Sequence, residues 1–127
     1  MNKRVEEILN KQIEGEASSS HLYLAMASWA ETQGFNGIAM FLYTPSDEER
    51  LHMLKLVKFV NERGGVAIIP ALEAPPVECI SVTYVFEELL NREVMFTESI
   101  KNVVDVCSKE RDYTTHNCMQ GNASEQI

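Results

Sequence analysis

Apolar residues recur at three- and four-residue steps along three long stretches of the chain, the period of helices that bury one face. In the first stretch Val5, Ile8, Leu9, Ile13, Leu22, Tyr23, Met26 and Ala30 share one stripe. In the second the stripe is Ile38, Phe41, Leu42, Leu56, Phe59 and Val60. In the third it is Val82, Val85, Phe86, Leu89, Leu90, Phe96, Ile100, Val103 and Cys107. Stop signals bound the elements: Thr32-Gln33-Gly34 after a first helix over 3–32, and Gly64-Gly65 after a second over 36–63. The short joint between these two makes them antiparallel neighbours. A third helix over 82–108, capped by Ser81 or Thr83, leads through a turn at Lys109 to Asp112 into a short fourth helix starting near Thr114.

The segment from Gly64 to Ser81 carries Pro70, Pro75 and Pro76 and has neither helical nor strand period. A helix of about 28 residues is about 42 Å long, and a connection of about 18 residues spans up to about 60 Å. The connection can therefore run the length of a bundle and set the third helix parallel to the second. The fold expected is all-α: a four-helix bundle with a long crossover between the second and third helices and a shortened fourth, in one domain over residues 1–127. Pro45 falls inside the second helix, where a lost backbone hydrogen bond predicts a kink.

Each of the three long stripes is interrupted by an acid. Glu16, Glu49 and Glu93 lie on the inward faces of their helices, and His52 lies one turn beyond Glu49. An ionised carboxylate is too costly to bury alone, so such groups pair, protonate or hold a metal. Their distances from the helix ends agree to within about one turn, so all four can converge at one depth. Gln126, on the Met119 and Ala123 face of the fourth helix, reaches the same level. A Glu-x-x-His pair by itself more often marks a solvated or capping pair. Three inward acids at one level with a single imidazole point instead to iron, manganese or zinc, and Glu49 is placed to bridge two ions.

A formal net charge of −8 excludes a nucleic-acid surface and suits cations. Cys79, Cys107 and Cys118 form no Cys-x-x-Cys pair and no even disulfide framework, which fits a reducing compartment, so a cytoplasmic location is expected. No leader and no membrane-spanning run is expected in the chain. His21 and His116 read as surface or packing histidines, and Trp29 and the methionines as packing.

The runs His21-Leu22-Tyr23-Leu24-Ala25-Met26-Ala27-Ser28-Trp29-Ala30, Asp47-Glu48-Glu49-Arg50-Leu51-His52-Met53, Asn61-Glu62-Arg63-Gly64-Gly65 and Asp112-Tyr113-Thr114-Thr115-His116-Asn117 resemble signatures of the bacterial non-haem ferritins. The resemblance implies a ferroxidase centre with two irons, cycling between Fe(II) and Fe(III). Glu16, Glu49 and His52 would surround one iron, Glu49 and Glu93 the other, with Gln126 beside them. It implies Tyr23 near the centre and Glu48 and Glu125 as candidates for a third, weaker position. It further implies oxygen or peroxide as oxidant and assembly of identical subunits into a hollow shell of twenty-four.

Gly121 and Asn122 stand where family members usually carry an aromatic pair, Pro45 is foreign to the pattern, and members continue beyond the position of Ile127. A half-length fourth helix predicts uncovered apolar side chains, Met26, Phe41, Phe86 and Trp29 among them, and hence association with another chain. The same departures leave open a second function: a catalytically impaired ferritin-like subunit acting as a structural or interaction module. A rubrerythrin-like peroxide reductase would need an electron-delivering iron site that no paired cysteines supply.

Overall fold

The computed structural model describes residues 1–79 and 81–125, with side chains described as far as 121. Among these residues the order is α1 (Lys3–Thr32), α2 (Asn36–Glu62), α3 (Val82–Lys109) and α4 (Tyr113–Glu125), with no strand. The sequence-based boundaries fall within one residue of these at every helix end they assign. No described helix is long and apolar enough to cross a membrane.

Local chemistry explains the ends. Asn2 caps α1, its Oδ1 accepting from the Arg4 and Val5 amides at 2.8 and 3.2 Å. Gly34 at φ 80 and Gly64 at φ 85 take the left-handed geometry that turns the chain out of α1 and α2. Of the two candidate caps for α3, Ser81 is the one used, its Oγ accepting from the Tyr84 amide at 3.1 Å. Asp112 caps α4 through Thr115, accepting from its amide at 3.0 Å and its hydroxyl at 2.7 Å.

Two apolar clusters fix the directions of the helices. The first joins Val5, Leu9 and Ile13 of α1 to Leu56 and Val60 near the end of α2, Ile100, Val103 and Cys107 near the end of α3, and Met119 of α4. The second joins Tyr23, Met26, Ala27, Trp29 and Ala30 near the end of α1 to Ala39 and Leu42 early in α2 and Val85 early in α3. So α2 runs antiparallel to α1, and α3 runs parallel to α2. The 63–81 crossover lies along α1: the Asn10 amide donates to the Val66 carbonyl at 3.1 Å, and the Ile68 amide donates to Asn10 Oδ1 at 2.8 Å. Farther on, Glu73 to Pro76 border Ser18, His21 and Leu22.

The expected uncovered face is half corrected. Phe41 and Phe86 are 54 % and 41 % exposed and lie ring to ring at 6.0 Å, but Met26 and Trp29 are 1 % and 8 % exposed. Met26 and Trp29 lie in the second cluster with Ala39 and Leu42 of α2 and Val85 of α3, whereas Phe41 and Phe86 stay outside both clusters. Leu90, also read as inward, is exposed as well.

The chain stays helical through Pro45, which leaves the Phe41 carbonyl without its usual donor. Beside it, α1 and α2 are clasped reciprocally: Ser20 Oγ donates to the Ser46 carbonyl at 2.8 Å, and Ser46 Oγ donates to the Ser20 carbonyl at 2.8 Å. An interior proline costs a helix up to about 3 kcal/mol relative to alanine. Pro45→Ala should therefore raise the urea midpoint, by about 1–3 kcal/mol in unfolding free energy; an unchanged or lower midpoint would mean that the clasp, not the ring, sets the local geometry.

Candidate metal centre

Between the two apolar clusters lies a belt of buried polar side chains: Gln12 and Glu16 from α1, and Ser46, Glu49 and His52 from α2. Each is delivered by helical spacing. Glu16 follows Leu9 and Ile13 on the α1 stripe, and Glu49 and His52 are one turn apart between Leu42 and Leu56 on that of α2. The antiparallel pairing brings the three ligand-type residues to one level. One ligand atom from each of Glu16, Glu49 and His52 lies within 4.8 Å of the others, and all three residues are buried.

Glu93 joins this group only at its edge. It is half-buried on α3, and the Tyr23 hydroxyl donates to its Oε1 at 3.5 Å. Burial pushes its carboxyl above the ordinary range; the Tyr23 hydrogen bond opposes that, Glu48 adds to it and His52 opposes it. Glu48 itself is exposed. Tyr23 is held protonated by burial and by the charges of Glu93 and Glu49, so it acts as a donor. Gln126 lies outside the described residues, and so does the side chain of Glu125. His21 is exposed and His116 half-buried, in line with their reading as surface or packing residues.

Gln12 was missed by the sequence reading. Its Nε2 donates to Glu16 Oε1 at 3.3 Å and leaves Glu16 Oε2 buried with no hydrogen bond. The signal was present as an amide four residues before an inward acid on the same stripe. A buried carboxylate oxygen with no donor is costly unless it is protonated or meets a cation. Burial first, then the charge of Glu49, pushes the Glu16 carboxyl up to about 8, against the lowering effect of Gln12. One imidazole among carboxylates suits a borderline first-row ion, and the unfilled oxygen of Glu16 is where such an ion would bind.

Comparison with known proteins gives a consistent picture. The family model described as a ferritin-like domain matches residues 6–127. A probable bacterial non-heme ferritin-like protein of Haemophilus influenzae is 39% identical over 126 residues, 99% of this chain and 76% of that protein. A bacterial non-heme ferritin of Staphylococcus saprophyticus is 32% identical over 100% of this chain and 76% of its own length. Among solved structures, Chlorobium tepidum ferritin superposes with a TM-score of 0.94 at 36% identity, covering 99% of this chain and 77% of that one. An open-pore ferritin from Archaeoglobus fulgidus gives 0.93 at 36% identity with the same coverage.

The raised Glu16 carboxyl makes metal-free stability depend on pH. Between about 4.5 and about 8 the folded chain holds a proton that the unfolded chain has lost. Stability in chelator should therefore fall as pH rises through that window, and the near-isosteric Glu16→Gln should flatten the fall. Urea unfolding at a series of pH values measures both slopes; equal slopes in the two proteins would place the Glu16 proton elsewhere.

Proposed function

The chain belongs to the ferritin-like family, and from that premise we propose that it is an iron-storage ferritin subunit, a single domain over 1–127, that oxidises Fe(II) to Fe(III) at a paired iron site in mid-bundle. The observation that carries the reading is the convergence of buried Glu16, Glu49 and His52 between two apolar clusters, with a Glu16 oxygen lacking any hydrogen bond. Iron is the substrate. One Fe(II) is held by Glu16, Glu49 and His52, and a second by Glu49 as bridge with Glu93, Gln126 lying alongside. Glu48 and Glu125 are left for a weaker third position.

The chemistry follows from charge. Carboxylates stabilise Fe(III) more than Fe(II), which lowers the potential of the pair and favours loss of one electron from each ion. Dioxygen accepts both electrons and two protons to give hydrogen peroxide. Binding of the first Fe(II) displaces the proton of Glu16, so uptake releases acid and strengthens as pH rises toward about 8. Tyr23, donating to Glu93, orients the carboxylate of the second position. Glu93 is less buried than Glu16, so that position binds more loosely and lets product iron leave for storage. Identical subunits assembled as a shell, as the family resemblance implies, would enclose the mineral, and the three free cysteines suit a cytoplasmic location.

Anaerobic titration should show about two Fe(II) bound per chain, the occupancy of a paired carboxylate site in a helical bundle. Glu49→Ala removes the bridge and should slow initial aerobic oxidation by about a hundredfold, the upper range for losing even an outer partner of a metal site. Unchanged initial rates in that variant, followed by absorbance of the ferric product, would overturn the assignment.

A further inference from the structure

A cleft of about 100 Å³ opens between α1 and α3 and has the buried Glu16 in its wall. We propose that this cleft is the inlet by which a small uncharged oxidant, dioxygen, reaches the iron pair, on a route separate from that of the metal. The inference rests on the ferroxidase reading above and concerns the second substrate of the same site.

Charge decides which species the cleft admits. Among the described residues its charged lining is Glu16 and Arg92, whose guanidinium donates to Ser18 Oγ at 3.2 Å. A guanidinium in the lining disfavours Fe(II), and neither Glu48 nor Glu93 lines the cleft. The rest of the wall is neutral: Gln12 and Ser19 on the α1 side, Met95 and Phe96 on the α3 side. Met95 and Phe96 give the cleft an apolar side against which a small uncharged molecule can rest. Phe96 also places the cleft next to the reacting ions, since its ring lies 6.4 Å from the His52 imidazole, centroid to centroid.

Gly15 lines the cleft. It is exposed on α1 between Gln12 and Ser19, and a Cβ built there meets nothing within 4 Å. The Cβ of a leucine there is accommodated, the longer side chain adds bulk at the cleft wall, and helix propensity favours leucine over glycine. Gly15→Ala adds the backbone effect without the plug.

Both variants are compared with the unaltered chain by xenon NMR, anaerobic Fe(II) titration and the dioxygen dependence of oxidation. The expected result is that Gly15→Leu abolishes the xenon shift and raises KM for dioxygen several-fold, while Fe(II) stoichiometry and affinity stay at the unaltered values and Gly15→Ala changes neither. An unchanged KM for dioxygen in Gly15→Leu, or a xenon shift that survives the plug, overturns the proposal. Fe(II) affinity that falls in step with the plug also overturns it, because the cleft would then carry the metal. Should the unaltered chain bind no Fe(II), the ferroxidase reading fails by itself; xenon binding still reports whether the cleft admits an apolar gas, and no binding there overturns the inlet as well.

Discussion

The structure turns on the cost of keeping Glu16 and Glu49 out of water. Two carboxylates within 4.8 Å, between apolar clusters, repel each other and lose hydration. A small core of leucines and valines would be more stable with apolar side chains in those places. The belt divides what would otherwise be one continuous core, and its acids make sense when a cation replaces the missing water. Within the belt Gln12 donates to Glu16 Oε1, and Ser46 exchanges hydrogen bonds with Ser20, a turn away from the acids.

Most of the bundle was legible in the sequence because helices declare themselves by period. Leu9, Ile13, Leu56, Val60, Val103 and Cys107 were on predicted stripes and are buried. The meeting of Glu16, Glu49 and His52 followed from equal depths in antiparallel helices, which needs only residue counts and the rise per residue. The crossover was legible because its prolines forbid helix while its length permits a full traverse.

What escaped the sequence depends on side-chain direction and on which neighbour covers a stripe. A stripe about 100° wide has two edges, and period alone does not say which one a partner helix shields. That is why Met26 and Trp29 are buried while Phe41 and Phe86 are not. Glu93 shares the predicted level but is half-buried against Tyr23, because its rotamer and the spacing of α3 from α1 set its reach. The Gln12 bond to Glu16 likewise needs a particular rotamer, which spacing permits but does not dictate.

The strap-like crossover has a consequence for how the site is held in register. A tight turn, such as that between α1 and α2, locks two helices to a fixed offset. The α2–α3 pair has no such lock, so the height of Glu93 relative to Glu49 is set by packing in the two apolar clusters and by lateral fasteners: Arg92 on Ser18, Tyr23 on Glu93, and Arg4 on Glu110 at 3.4 Å. A slip of α3 by one turn, about 5.4 Å, would break all three together. Glu93 is thus tied in place by cross-pins between α1 and α3, separate from the α1–α2 frame that carries Glu16, Glu49 and His52.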